Sequence, residues 1–503
     1  MKKSQEARRK EVEKLLQKQK IRSVEEIEAY KLSVCHPDSA GIDLGSTENY
    51  VALNPAIAAE MDLPIVRKFS TTTTGHRECR DFLLQCGIKD VCMESTGIYW
   101  INLHYILTEA GIHVCLVNPK MFRMVPGRKT DILDCQWLQT LHMYGLCRGS
   151  FIQEGNLRML RTYMRERENS IQDRSRYCQR MQKALVQMNI MLVNVVSDIT
   201  GKTGMKIIKA IIDGTRDPKA LALLRDGRCK RSTEEIEEAL NGIYKEDQMF
   251  LLKQNYDKFM FINQQIAELD LQIGRLLASF PPSDRKQGEK TETPASTTPS
   301  LDEGSEEKAG QDNGKGKKKN SKKKKLVKLS KNDIMAGIDL EQRLLEILGV
   351  NLTAITGLAP NSILQIISEV GTDMSLFPNE KHFVSYLGFA PRNKITGGRL
   401  ISSKTDRKKS HAAQAFKKVI PSISRNKSAL AGFYHRIAAR KSAGEAIVAT
   451  ARKLAIMFYN TLKYGKEFVE KGQDEYKKML EERERTRLAK LAKKYHMELA
   501  PAV

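Results

Sequence analysis

Four acidic residues in the N-terminal third of the chain have the side chains and spacing that metal-assisted phosphate chemistry requires: Asp43, Glu94, Asp131 and Asp134. Carboxylate oxygens are preferred ligands of hard cations such as Mg²⁺. Two such ions, roughly 4 Å apart, activate the attacking oxygen and stabilise the leaving one in phosphodiester transfer. Because one acid cannot hold both ions, the set predicts a shared site for two Mg²⁺ ions at which a phosphodiester is transferred.

The elements around these acids indicate that they converge. Asp43 lies in a short β-type run, AGIDLGS, and Glu94 ends a later one, DVCMES. Asp131 and Asp134 are three residues apart on a predicted helix and therefore share a face. Taken singly, each acid has a plainer role as a helix cap, a solvated charge or the partner of a lysine. Their joint placement on two strands and one helix favours the metal site.

The order of the predicted elements indicates an α/β domain. Three β-type runs between residues 40 and 70 are followed by alternating helices and strands, up to a helix opened by Thr130. This order favours a mixed sheet with helices packed on it. GIDLGS also resembles the first phosphate loop of actin-like sugar kinases. The chain shows no second DxGxG-type loop and no later glycine pair for adenosine, so ATP binding is the weaker interpretation.

The rest of the chain divides by composition and periodicity. Apolar residues from Leu252 to Leu276 are spaced alternately by three and four, which predicts either a coiled coil or an ordinary buried helix face. Asn255 would set the register of a coiled coil. The predicted segments are an amphipathic helix within 1–39, an α/β domain at 40–150, a helical or coiled-coil region at 151–280, a disordered lysine-rich insertion at 281–333, a mostly helical domain at 334–465 and a charged helix within 466–503.

The charge of the chain predicts a polyanionic partner. Lysine and arginine outnumber aspartate and glutamate by 84 to 60, a formal net charge of +24. Such an excess makes nucleic acid the expected partner. No apolar run approaches the roughly 20 residues of a membrane helix, and the charged N-terminus lacks the apolar stretch of a signal peptide. The expected location is the cytoplasm, at the nucleoid when DNA is bound, with no membrane contact.

Cysteine and histidine spacing does not indicate a metal site. The nine cysteines form no CxxC pair and no regular framework, so they are expected to be reduced core thiols, and a cysteine-bound zinc site is disfavoured. No two of the nine histidines have metal-binding spacing. His36, His76, His104 and His382 are therefore expected in core or surface roles.

The motifs, taken in order, resemble a known family. GIDLGS, CMESTGIYW and LVNPKMFRMVPGRKTDILDCQWL resemble the RuvC-like N-terminal domain of the insertion-sequence 110 family of transposases, relatives of the Piv DNA invertases. ITGLAPNSILQIISEVG and LFPNEKHFVSYLGFAPRNKITGGRLISSKTDRK resemble the second conserved domain of that family. The resemblance covers about 40–150 and 350–465, and the combination is more specific than either part.

The resemblance implies an RNase H/RuvC-like mixed sheet followed by a largely all-α remainder, with Asp43, Glu94, Asp131 and Asp134 as the four metal-binding acids. It also implies a serine nucleophile in the C-terminal domain, which forms a transient protein–DNA phosphodiester. The expected partners are donor and target DNA, a structured bridge RNA that pairs with both, and further copies of the chain in a dimer or tetramer.

The expected nucleophile position departs from the family. A serine is expected just before a Gly-Gly pair, where this chain has Thr396. Threonine carries the same hydroxyl, but its extra methyl restricts χ1. Ser402 and Ser403 are alternatives, as is an inactive C-terminal site. The TGG tripeptide also predicts a simple turn between two strands.

Basic residues flank both predicted sites. Guanidinium groups can clamp a phosphate and stabilise charge in the transition state. The segment ITGLAPNSILQII resembles a helix-hairpin-helix, whose amides would bind backbone phosphate, but Ala359 replaces the favoured glycine, so a structural turn is equally expected. The candidate nucleic-acid-binding residues are Arg128, Lys129, Arg392, Lys394, Arg399, Lys404 and Arg407.

Three functions remain open at this point. The leading hypothesis is an Mg²⁺-dependent, RNA-guided DNA recombinase that mobilises its own insertion sequence. The second is a nucleic-acid-binding protein without catalysis, in which the acids only build the fold. The third is a RuvC-like, structure-specific nuclease that keeps the metal site but forms no covalent intermediate.

Overall fold

The computed structural model describes residues 33–95, 97–118, 130–153, 155–284, 332–334, 337–403, 405 and 410–465, together with scattered positions from 478 onward. The chain forms two compact units, divided between Ile152 and Gln153. The predicted N-terminal helix and most of the lysine-rich insertion lie outside the described residues, as do Arg128, Lys129, Lys404 and Arg407. Of the predicted C-terminal helix, the positions described between 478 and 492 are helical.

The N-terminal unit is built on a five-stranded mixed sheet with the strand order β3-β2-β1-β4-β5. The strands are β1 (Ser39–Leu44), β2 (Glu48–Leu53), β3 (Val66–Ser70), β4 (Asp90–Glu94) and β5 (His113–Val117). The first three pair antiparallel, whereas β4 and β5 continue the sheet in parallel with β1. The mixed sheet predicted from the sequence is therefore observed.

Side-chain caps start several of the helices that pack on this sheet. Thr72 accepts a hydrogen bond from Gly75 N–H, and Thr130 accepts one from Leu133 N–H. The first helix was not predicted, and it is short; Asn54 caps it and proline occupies its first turn. The helices of this unit are α1 (Pro55–Glu60), α2 (Thr73–Gln85), α3 (Trp100–Glu109) and α4 (Asp131–Met143).

The two faces of the sheet pack against different partners. One face carries Ile42 and Met93 and forms the main core of this unit, together with Leu83 from α2 and Leu103 from α3. Alternate residues of the same strands point to the opposite face. That opposite face is covered by α4, whose Leu138 packs with strand residues in a smaller cluster.

Helix α4 lies directly on β1 and runs antiparallel to it. A Cβ atom at Gly41 would be 2.3 Å from both Cys135 O and Gln139 N, so only glycine permits this approach. At the other end of the helix, Met143 O accepts hydrogen bonds from the N–H groups of Cys35 and His36, just before β1 begins. The first turn of α4 is therefore directed toward the carboxyl end of β1.

Two long helices dominate the second unit, and they form an antiparallel hairpin. These are α5 (Gly155–Gln187) and α10 (Glu246–Ala278). The connection between them contains α6 (Leu192–Val195), α7 (Lys202–Ile212), α8 (Pro218–Ala222) and α9 (Thr233–Leu240), which pack with the hairpin in a separate core. No helix of the described residues combines the length and apolarity needed to cross a membrane.

The predicted seam of α10 is buried along the hairpin, with Leu252, Phe259 and Ile273 among its buried residues. Asn255 is buried too, but its amide donates to Leu251 O of its own helix. Polar contacts between the helices are made elsewhere along the hairpin. They join Arg167 to Asp270 and Arg174 to Asn263.

The C-terminal elements share a core with the open end of the hairpin. Leu160 from α5 and Ile273 from α10 belong to this core. Glu369 is buried and accepts hydrogen bonds from Arg161 and Arg165 of α5. The elements are α11 (Leu340–Leu348), α12 (Pro360–Val370), α13 (Glu380–Tyr386), β6 (Lys394–Thr396), β7 (Arg399–Ser402), α14 (His411–Ser424), α15 (Ala429–Arg440) and α16 (Ala443–Tyr464).

Asn332 and Asp333, which the predicted bounds place in the insertion, make hydrogen bonds with distant parts of the chain. Asn332 O accepts a hydrogen bond of 3.0 Å from Arg167 Nη2. The Asp333 carboxylate accepts a hydrogen bond from the Asn361 side chain. Composition did not show this because both residues are polar, whereas the contacts that fix them come from distant parts of the chain.

The segment predicted to resemble a helix-hairpin-helix connects α11 to α12. Its apolar residues Ile355 and Leu358 are buried, and Gly357 has φ 88°. A Cβ at Gly357 would lie 2.4 Å from Ile423 Cγ1, so the turn packs closely on α14. The described packing corresponds to the structural-turn interpretation, and phosphate binding by its amides stays a prediction.

The buried ion pair between α5 and α10 gives a test of the hairpin. Arg167 Nε lies 2.5 Å from an Asp270 carboxylate oxygen, and both side chains are less than 8% exposed. The Asp270→Ala substitution leaves a buried arginine without its carboxylate and should destabilise the unit by about 3–5 kcal/mol. Denaturant unfolding followed by circular dichroism would measure this.

Asp257→Ala on the same helix is the matched control for that substitution. It removes an exposed pair with Lys253 and should cost only about 0.3–0.5 kcal/mol. Equal losses of stability in the two variants would contradict the assigned importance of the buried pair.

Candidate functional site

Asp43 and Glu94 lie next to each other at the carboxyl ends of two parallel strands. The register pairs Gly41 with Cys92 and Ile42 with Met93, so the next pair along β1 and β4 is Asp43 with Glu94. Neighbouring strands are about 4.8 Å apart, and residues two apart share a face. Both half-buried carboxylates therefore belong to the face that α4 covers.

The helix brings Asp134 to the same place. Burial, together with the negative charges of Asp43 and Asp134, raises the pKa of the Cys135 thiol to about 12. The two carboxylates thus act on one buried thiol, one from the strand and the other from the first turn of α4. Asp131 lies one turn earlier on the helix and is exposed.

The direction of α4 suits negative charge at this end. Asp131 and Asp134 are both in its first turn, which Thr130 caps. The N-terminus of a helix carries a partial positive charge, worth about 0.3–1 kcal/mol to a nearby anion. This field offsets part of the repulsion among carboxylates that converge from the helix and from two strands.

The four acids do not form a tight cluster among the described residues. Among the described residues, two groups bring three or more histidine, cysteine or acidic ligand atoms within 4.8 Å of one another, and neither contains any of the four acids. Carboxylates carry like charges, and only a cation between them would favour closer approach. An all-oxygen donor set of this kind fits Mg²⁺, which is usually bound by one or two carboxylates plus water and phosphate oxygens.

Thr396 lies at the tip of an exposed β-hairpin in the second unit. Strands β6 and β7 pair antiparallel, with Thr396 opposite Arg399 across Gly397 and Gly398. Both glycines have positive φ, 54° and 74°, as two-residue hairpin turns require. The prediction of a turn between two strands is confirmed. The Thr396 side chain is exposed.

The other hydroxyl candidates lie away from the tip. Ser402 pairs with Lys394 at the far end of the hairpin and is half-buried, whereas Ser403 follows it and is exposed. Arg392, Lys394 and Arg399 are all exposed on or beside the hairpin.

Two groups of side chains were missed by the sequence analysis. Ligand atoms of Cys92, Cys115 and His142 lie within 4.8 Å of one another, as do those of His36, Asp90 and His142. Cys92 and Cys115 are free and buried, as expected of core thiols, but the sequence analysis did not anticipate their proximity to His142. Spacing along the chain gave no signal, because strand register and the packing of α4 create both groups. The predicted core or surface roles are confirmed for His76 and His104, which are buried, and for His382, which is exposed.

Family models match both parts of the chain. Residues 40–190 match the DEDD transposase model of the IS110 family, and residues 350–435 match the transposase model of the IS116/IS110/IS902 family. The chain belongs to the IS110 family of transposases. No curated protein matches it. The predicted recognition and the predicted RNase H/RuvC-like fold class are confirmed.

Membership fixes the general activity. This IS110-family transposase is an enzyme of DNA recombination with DNA as its partner, and its family typically uses divalent metal ions. The first match begins with β1 and extends beyond the sheet through α5 to Ile190. The second includes the hairpin that carries Thr396.

The close approach at Gly41 provides a direct test of how the acids are positioned. A Gly41→Ala methyl would meet the backbone of α4 at 2.3 Å and force the helix that carries Asp131 and Asp134 away from β1. Overpacking of this kind costs about 1–3 kcal/mol. Thermal unfolding would measure the loss, and hydrogen exchange of α4 would locate it.

Gly149→Ala, in the same unit, is the matched control. Its new Cβ would meet the nearest atom, Cys115 Sγ, at 3.6 Å, an ordinary contact. Wild-type stability and exchange in Gly41→Ala would mean that α4 does not rest on β1 as described.

Proposed function

We propose that this transposase cuts and rejoins DNA at a centre where Asp43, Glu94, Asp131 and Asp134 hold two Mg²⁺ ions. The observation that supports this most is the parallel register of β1 and β4, which pairs Ile42 with Met93 and so leads to Asp43 and Glu94 as the next residues of the two strands. The common influence of Asp43 and Asp134 on Cys135 supports the same placement.

Each acid would have a defined part in the reaction. When bound, the two ions activate the attacking oxygen and stabilise the leaving oxygen of the phosphodiester. Asp43 and Glu94, fixed on adjacent strands, would provide the rigid side of the centre. Asp134 and the exposed Asp131 would provide the other side from α4. The buried Cys135 thiol stays protonated next to them and adds no further negative charge, since its pKa is raised to about 12.

We further propose Thr396 as the nucleophile of a covalent intermediate. Its Oγ1 would form a bond to phosphorus while the bond to the leaving DNA oxygen breaks. The hydroxyl proton would pass to a base, and the leaving oxygen would take up a proton. Thr396 is exposed at the hairpin tip, whereas Ser402 is half-buried at the other end of the hairpin. This difference in exposure supports the choice of Thr396. Ser403 is the exposed alternative.

The hairpin itself suits binding to DNA. Arg392, Lys394 and Arg399 are exposed there and would contact phosphates, with Lys404 and Arg407 following in the sequence and Arg128 and Lys129 preceding α4. A two-stranded hairpin is only marginally stable by itself, so contact with a partner would also order it.

A guide RNA and assembly into a dimer or tetramer complete the proposal. The net charge of +24 supports a polyanion beyond the DNA substrate, and the family resemblance supports a bridge RNA in that role. Under the two alternatives, the chain would either bind nucleic acid without catalysis or cut junctions without a covalent intermediate.

Neutralising the acids tests the metal centre. Asp43→Asn and Glu94→Gln keep the size of each side chain but remove a negative ligand, and each should reduce DNA strand exchange roughly thousandfold, a loss of about 4 kcal/mol in transition-state stabilisation. RNA binding, measured by gel shift, should remain.

Glu48→Gln is the control for those substitutions, because Glu48 is an exposed acid on β2 paired with Lys68. It should leave exchange unchanged. Full exchange by both Asp43→Asn and Glu94→Gln would favour the non-catalytic alternative.

The hydroxyl proposal is tested by trapping the protein on a nicked suicide DNA substrate. Thr396→Ala should abolish the denaturation-resistant complex, and Thr396→Ser should restore it because the hydroxyl returns. Ser402→Ala and Ser403→Ala should retain it. If the wild type gives no trapped complex and Thr396→Ala still cleaves DNA, the nuclease alternative would be favoured. If only Ser403→Ala loses the trapped complex, Ser403 would be the nucleophile.

A further inference from the structure

Two cysteines face α4 from adjacent strands, and the one on β4 lies two residues before Glu94. Cys92 on β4 is the register partner of Cys115 on β5, just as Glu94 is the partner of Val117. Both thiols are buried, at 0% and 8% exposure. They occupy the sheet face that α4 covers and pack with Leu138 of that helix.

A third thiol and an imidazole complete the group. Cys147, in the loop after α4, has its Sγ 3.6 Å from Cys92 Sγ. His142, in the last turn of α4, lies with Cys92 and Cys115 in a group whose ligand atoms are all within 4.8 Å of one another. His142 is 3% exposed, and its Nε2 is buried without a hydrogen-bond partner. Leaving such a polar atom unpaired in the interior is destabilising.

We propose that Cys92, Cys115, His142 and Cys147 form a structural Zn²⁺ site. Three thiolates and one imidazole are a common ligand set for tetrahedral structural zinc. Two sulfurs, each about 2.3 Å from a tetrahedral ion, are about 3.8 Å apart, which is near the observed separation of Cys92 and Cys147. Soft sulfur ligands select Zn²⁺ over Mg²⁺, so this site is chemically distinct from the carboxylates above it.

The surroundings of His142 suit a metal ligand. The His36 ring stacks on it with centroids 4.5 Å apart, and the Asp90 carboxylate lies in a group with His36 and His142. Outer partners of this type orient ligating imidazoles and increase their basicity. The Asp90 carboxylate also lies 2.5 Å from His113 Nδ1, so a hydrogen bond holds this carboxylate in position.

The proposed ion would join four elements of one unit. Cys92 and Cys115 come from the sheet, His142 from the end of α4, and Cys147 from the loop that follows. A fully ligated site leaves no open position for substrate, which is typical of structural zinc. Its effect would be to fasten the C-terminal end of α4 to β4 and β5, and so to hold Asp131 and Asp134 at the opposite end of the helix.

The experiment uses the full chain and a readout that does not depend on DNA. Elemental analysis of protein purified without chelator should give about one Zn²⁺ per chain. After zinc removal, titration with Co²⁺ should produce the thiolate-to-metal charge-transfer absorption, and Zn²⁺ should displace it. Cys115→Ser and His142→Asn should each weaken Co²⁺ binding at least tenfold, as is typical for loss of a ligand or its support.

Two matched controls separate this site from general damage and from the carboxylate centre. Cys79→Ser alters a buried thiol on the other side of the sheet and should keep full Co²⁺ binding. Asp43→Asn should keep it as well, even if strand exchange is lost, so the zinc proposal and the proposed function fail independently.

Three results would overturn the proposal. The first is no zinc in the purified wild-type chain together with no charge-transfer absorption on Co²⁺ titration. The second is equal loss of Co²⁺ binding in Cys79→Ser and Cys115→Ser. The third is an intact mass two hydrogens short, with Cys92 and Cys147 joined in a disulfide.

Discussion

The close contact between the backbone of α4 and β1 at Gly41 is the constraint on which the candidate site depends. A side chain at this position would lie 2.3 Å from two backbone atoms of the helix. With glycine, α4 rests on the strand and its first turn reaches the carboxyl ends of β1 and β4. A helix held farther away by an ordinary side chain would separate Asp134 from Asp43.

The covered face of the sheet arranges its chemistry in layers along β4 and β5. Asp90 and His113 form the first pair, Cys92 and Cys115 the second, and Glu94 and Val117 the third. Successive pairs on one face are separated by about 6.6 Å, two residues of strand rise. The thiols of the second pair are therefore about two residues of strand away from the Glu94 carboxylate of the third pair.

How much of this was predictable depends on the range of the interactions. The strands, the Thr130 cap and the shared face of Asp131 and Asp134 follow from alternation and helical spacing, which are local. The buried seam of α10 was predictable for the same reason. In contrast, Asn332 is fixed by Arg167, a residue distant in sequence, so composition placed it in the insertion.

The thiol and imidazole group shows the same limit more sharply. Cys92 and Cys115 become neighbours only through the register of two parallel strands, and His142 joins them only because α4 crosses that face. No spacing rule along the chain contains this information. The pairing of Asp43 with Glu94 depends on register as well, but there the family motifs supplied the connection that spacing alone lacked.

The departure at Thr396 has a physical explanation in the hairpin. The turn is formed by two glycines with positive φ, which leaves Thr396 as the last residue of a strand opposite Arg399. β-branched residues favour strands and have few χ1 rotamers. Threonine therefore stabilises an exposed strand end that has no core to pack against, and it restricts where the hydroxyl can point. If the favoured rotamer directs Oγ1 outward beside Arg399, the methyl group would preorganise the proposed nucleophile. If it directs Oγ1 back along the strand, the methyl group would hinder the proposed attack. The serine that the family resemblance implies at this position would be free of both effects, so threonine here makes the hydroxyl less adaptable and the hairpin tip more rigid.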